Sequence, residues 1–107
     1  MRVKRLGSGL LSRDLSAEER SELGTNRSFV VLAVRNSSPA YFADILPNDV
    51  VVAIDGRPSG IDEYIAWTKM LIETSVEATK LTVMRGGERR EIEMKIPLDW
   101  RGGQEHP

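Results

Sequence analysis

The stretch SSPAYFADILPNDVVVAIDGRP, residues 37–58, decides the fold. Ser38 before Pro39 fits an N-cap with proline at the first helical position, where the missing N–H is no loss. One turn of helix then runs through Ala43. Pro47-Asn48 turns the chain, Val50 to Ile54 reads as a strand, and Asp55-Gly56 is a tight turn out of it. The RPSG that follows is irregular. Upstream, FVVLAV (Phe29 to Val34) is a continuous, short, β-branched run, which predicts a buried strand. Downstream, Ile61, Tyr64, Ile65, Thr68 and Ile72 recur at helical spacing, as do Tyr64, Trp67 and Leu71. This predicts a helix over 61–74 whose wide apolar stripe is buried on one side and lines something on another.

The ends of the chain complete the pattern. TKLTVMR, a GGE turn and RREIEMKI form a closing hairpin. Ile92, Met94 and Ile96 alternate with charges, so one face is buried and the other wet, with Arg89-Arg90 on a solvated face. Near the start, residues 8–13 form a strand and Ser16 with Glu19 makes a capping box. Glu18 and Glu19 suit the first helical turn, and Gly24 suits the left-handed end of a helix over 17–23. Leu15 and Leu23 would anchor that helix. Residues 1–4 read as a lead-in and 98–107 as a polar, disordered tail. The sum is one domain, mainly β with two helices (α+β): a partly open antiparallel barrel or sandwich of five to six strands, capped by helices.

Composition narrows the function. A chain of 107 residues, 40% hydrophobic, supports one modest core. Basic and acidic residues number 15 and 16, and no basic run carries interleaved aromatics, so nucleic acid is not an expected partner. VVVAI at 50–54 is far too short to span a membrane, and the residues after Met1 are charged rather than an apolar leader. Direct membrane insertion is not expected. There are no cysteines, hence no disulfides and no thiolate metal sites. The sole histidine, His106, stands one residue from the end, a poor place for a general base that needs fixed geometry. No motif sets two carboxylates together in an apolar setting. No catalytic residue, metal or cofactor is expected, and Asp49 and Asp55 read as turn caps.

At this point the chain resembles a known family. SSPAYFADILPNDVVVAIDGRP is similar to the central signature of bacterial PDZ domains. Ser38, Pro39, Ala40, Ala43, Ile45, Asp49, Val51, Ile54 and Gly56 fall on pattern. GSGLLSRDLSAEERSELG resembles the opening of PDZ domains from HtrA-type serine proteases, and LTVMRGGERREIEMKI their closing hairpin. The resemblance covers about residues 5–97. Asp44 and Asn48 depart from it, standing where the family commonly has glycine at positive φ, a region that aspartate and asparagine tolerate best among other residues.

The resemblance implies a PDZ-like barrel with a peptide groove between the second helix and the strand after the glycine loop. Family members take up C-terminal or extended peptides there by strand addition. It further implies a larger parent protein in the periplasm or cell envelope, an HtrA-type protease or a secretion or quality-control protein. Expected partners are C-terminal or unfolded protein segments, or neighbouring domains. The loop Arg5, Gly7, Ser8, Gly9 and Leu10 would hold the peptide carboxylate, Ser8 replacing a bulky apolar residue. The physics of the loop fits: small residues let a ligand approach converging amides, here those of Ser8, Gly9 and Leu10, and Arg5 adds positive potential. It is not a P-loop, because G-x-x-x-x-G-K-[ST] is absent. Leu10, Leu11, Ser12 and Arg13 would pair with the peptide, and Ile61, Tyr64, Ile65, Thr68 and Leu71 would form the groove helix. Four backbone hydrogen bonds at ~0.5–1.5 kcal/mol each and one buried aliphatic side chain at ~1.5–3 kcal/mol, less association costs, predict affinity on the order of micromolar. A closed groove that docks on a neighbouring domain or subunit is the alternative. Gly9→Val is expected to obstruct the loop while the domain stays folded.

Overall fold

The computed structural model describes residues 1–97. Seven strands form one largely antiparallel, unclosed sheet: β1 (Val3–Arg5), β2 (Leu10–Asp14), β3 (Phe29–Val34), β4 (Val50–Ile54), β5 (Arg57–Pro58), β6 (Ala78–Arg85) and β7 (Glu88–Lys95). The spatial order is β1-β2-β3-β4-β6-β7, with β5 paired to β4 off this path. Three helices cover it: α1 (Ala17–Leu23), α2 (Pro39–Phe42) and α3 (Ile61–Glu73). Helix α3 packs against β2, and α2 against β7.

Local chemistry sets the element ends as the residues predict. Ser16 Oγ accepts the Glu19 N–H at 3.1 Å and Glu19 Oε1 accepts the Ser16 N–H at 2.8 Å, closing the capping box of α1. Arg13 pairs with the same carboxylate at 2.7 Å, and together these donors hold Glu19 well below its usual range, at about 2. Ser38 Oγ accepts the Tyr41 N–H and caps α2 behind Pro39. Asp44 and Asn48 take φ of 62° and 75°, the backbone inferred for them. Asp55-Gly56, both at positive φ, makes the two-residue turn between β4 and β5 that favours this pair.

The core is made of Leu6, Leu10, Phe29, Val31, Ala40, Ile45, Val51, Ile54, Ile61, Tyr64, Leu81, Val83 and Met94. Several expectations are corrected. Leu23 does not anchor α1: it is exposed, and α1 buries none of its residues, so its cap and the Arg13–Glu19 pair hold it. The FVVLAV run is buried only over Phe29–Val31, with Leu32 and Ala33 exposed. Residues 1–4 are more than a lead-in, since Val3 and Lys4 belong to β1, which pairs with β2. Together with β5, which occupies the RP of the RPSG segment, β1 raises the strand number to seven. The tail assigned to 98–107, with His106, lies outside the described residues.

Candidate functional site

The glycine loop is a hairpin turn between β1 and β2. Leu6 N–H donates to the Leu10 carbonyl at 2.7 Å, and Gly9 N–H donates to the Leu6 carbonyl at 3.0 Å. Behind the loop, Ala40 N–H donates to the Ser8 carbonyl at 3.1 Å and Arg35 N–H to the Gly9 carbonyl at 2.7 Å. A trans peptide directs its N–H opposite to its carbonyl. Tying the Ser8 and Gly9 carbonyls back to α2 and to Arg35, just past β3, therefore aims the Gly9 and Leu10 amides forward, toward Leu6. Gly9, at φ 100°, sits against Ser38, whose Cβ and Oγ a side chain at this position would overlap. That contact changes the meaning of Gly9→Val, which now strains the fold itself.

Ser8 is buried, and its hydroxyl hydrogen-bonds to the Tyr64 hydroxyl from α3. The Tyr64 ring meets Phe29 edge-on, with centroids 5.3 Å apart. Burial pushes the Tyr64 hydroxyl up to about 12, against the opposing effect of the Ser8 bond, so it stays neutral as a hydrogen-bonding group. The loop and the helix are thus joined by a buried polar pair.

The residues expected to pair with a peptide form β2, and both edges of that strand carry partners. On one side Leu10, Leu11, Ser12 and Arg13 pair with Val34, Ala33, Val31 and Val30 of β3, with a bulge between Leu11 and Ser12. On the other, Arg13, Ser12 and Leu11 pair with Val3, Lys4 and Arg5 of β1. Arg5 is therefore an exposed β1 residue opposite Leu11. Ser12 Oγ also donates to the Lys4 carbonyl at 2.8 Å. On α3, Ile61, Tyr64 and Leu71 are buried, Ile65 and Trp67 pack against the core, and Thr68 returns its hydroxyl to the Tyr64 carbonyl at 2.8 Å.

Sequence reasoning missed Arg2, Leu6, Asp14 and Asp62. Leu6 is 5% exposed and part of the core. Arg2 bridges Asp14 at the end of β2 and Asp62 in the first turn of α3, at 3.2 and 2.8 Å. The only signal for Leu6 was a lone apolar residue between Arg5 and Gly7, and ion pairs between residues 12 and 60 positions apart have no local signature. Among the described residues, no group of three or more His, Asp or Glu side chains could hold a metal ion, and no helix is long and apolar enough to cross a membrane.

The sequence profile of a PDZ domain family matches residues 6–96. Among solved structures, the PDZ domain of HtrA3 bound to a phage-derived ligand (FGRWV) is similar at TM-score 0.61 and 20% identity, covering 88% of this chain and 86% of that one. The HtrA-type protease AlgW with decapeptide aligns at TM-score 0.60 and 21% identity over 88% of this chain. This chain spans only 28% of that protease. The PDZ domain of EpsC from Vibrio cholerae, residues 219-305, aligns at TM-score 0.59 and 13% identity, covering 87% of this chain and 100% of that one. No match was found among curated proteins.

Proposed function

The chain belongs to the PDZ family, and from that premise we propose that it is a peptide-binding module of a longer protein. It captures C-terminal or extended segments by adding them as a strand to β2, beside α3. One observation carries this reading: the loop carbonyls of Ser8 and Gly9 are tied down behind the site, which leaves the amides at the head of β2 aimed toward the position of a strand's last residue. A carboxylate there would be held by the amides of Ser8, Gly9 and Leu10. The ligands named for the HtrA3 domain and for AlgW are peptides, which supports the same use here. The HtrA-type likeness, spanning 28% of a protease chain, supports a parent protein in envelope proteolysis or quality control. The catalytic work would then belong to other parts of that parent.

The test is a titration of the folded chain with short peptides bearing free aliphatic C-termini, read by amide chemical shifts. Saturable shifts are expected over Ser8 to Arg13 and along 61–72, and amidating the peptide should weaken binding. Equal affinity for amide and acid would remove the carboxylate role. A second reading, a docking domain with a closed groove, is favoured by β1 lying along β2. Absence of shifts at millimolar peptide, in this chain and in a variant whose β1 is released from β2, would select it.

A further inference from the structure

Resting on the peptide-binding reading, we propose that Arg2–Leu6 is a tethered ligand mimic seated in the groove. We infer further that the groove takes peptides with a leucine-like last residue and arginine four positions before it. Direction comes first. Segment Val3–Arg5 runs antiparallel to β2 and ends at the glycine loop, the course a peptide would follow with its C-terminus at the loop. Leu6 then stands as the last residue. Its N–H donates to the first carbonyl of β2, at Leu10, and its carbonyl accepts the Gly9 amide, in the position expected of a carboxylate oxygen. Its side chain enters the core among residues that include Leu10 and Tyr64, as a terminal aliphatic side chain would.

Hydrogen bonds continue along the edge. Asp14 N–H donates to the Arg2 carbonyl at 3.0 Å, and by the alternation of an antiparallel ladder Lys4 and Ser12 are the bonded pair between. The β1 side chains are exposed, so the mimic is held by its backbone, by Leu6 and by Arg2. The Arg2 guanidinium reaches Asp14 on β2 and Asp62 on α3, one carboxylate from each wall of the groove. That pair of acids is a receiver for a basic side chain at this position. An outside peptide must displace β1 first, and a tether at millimolar effective concentration competes well against ligands of micromolar affinity.

The experiment compares the whole chain with Lys4→Pro, which removes the N–H in the middle of the β1 ladder at an exposed site. The probe is the free-acid peptide RVKRL, and core amide shifts verify the fold. Lys4→Pro should bind RVKRL about tenfold or more tighter than the parent chain, and changing the peptide arginine at the first position to glutamate should weaken binding several-fold. Equal affinity in parent and variant overturns the tethered mimic while peptide binding stands. Equal affinity for the arginine and glutamate peptides overturns the ligand class. No binding by either folded chain overturns both this inference and the reading beneath it. Arg2→Glu, which sets a third acid beside Asp14 and Asp62, is the second variant and should also tighten RVKRL binding; no tightening in either variant overturns the mimic.

Discussion

Asp49→Ala is expected to lower the stability of the domain by about 3–5 kcal/mol, the range found when one partner of a buried ion pair is removed. Asp49 is 1% exposed. Its carboxylate accepts the Arg85 Nε and Nη2 at 2.8 and 2.7 Å and the Leu46 N–H at 2.9 Å. The surrounding backbone converges on the same place, because Val31 N–H donates to the Asp49 carbonyl and Asn48 N–H to the Val31 carbonyl. The side chain therefore joins the turn before β4 to the end of β6, while the backbone beside it ties both to β3. With alanine, the Leu46 amide loses its acceptor, and Arg85 keeps only the Asp44 carbonyl at 3.0 Å. Because the Arg85 side chain is 27% exposed, water recovers part of the loss, which favours the lower end of the range. Asp49→Asn retains the Leu46 acceptor and should lose less. Urea unfolding should move the midpoint down by more than about 1 M for alanine. A shift equivalent to under about 1 kcal/mol would mean that the pair is screened as a surface pair is.

Gly9→Val ranks second. A left-handed backbone costs an L-residue about 1–2 kcal/mol, and β-branching raises that further. The new side chain would also overlap Ser38 Cβ and Oγ. Ser38 is fully buried and caps α2 through the Tyr41 amide, so it has nowhere to move without uncapping that helix. Overpacking adds about 1–3 kcal/mol. The sum, roughly 2–5 kcal/mol, corresponds to a melting temperature lower by about 10–30 °C. An unchanged melting temperature would show that the loop rebuilds away from Ser38. Gly9→Val is consequently a test of the fold, and the exposed Lys4 and Arg2 are the better handles on the groove.

Much of this architecture is legible in particular residues. Ser16 with Glu19, and Ser38 with Pro39, cap helices through short-range hydrogen bonds, so a few letters suffice. Asp44 and Asn48 betray positive φ because few other residues tolerate it. The Ile61–Leu71 stripe and the Met94 face follow from periodicity. Other features depend on partners far away in the chain. β1 consists of three exposed residues without apolar alternation, and it is a strand only because β2 offers it hydrogen bonds. Leu32 and Ala33 look buried because the run is apolar, yet which part of a strand is covered depends on what lies over it. Ser8 reads in the sequence only as a small residue replacing a bulky apolar one, because its buried partner, Tyr64, sits 56 positions away. The Asp49–Arg85 pair, 36 positions apart, is illegible for the same reason.

In the proposed function, β2 is the edge that receives a peptide. Proton–proton contacts across the sheet, measured on the labelled parent chain saturated with unlabelled RVKRL, test it most directly. In the free chain, Val3 faces Arg13 and Arg5 faces Leu11, as non-bonded pairs whose α-protons lie close together. Saturation should replace those contacts with peptide α-protons opposite Leu11 and Arg13, and should place the peptide's last side chain near Leu10 and Tyr64. Peptide contacts along β7 or outside an undisturbed β1 would contradict the account.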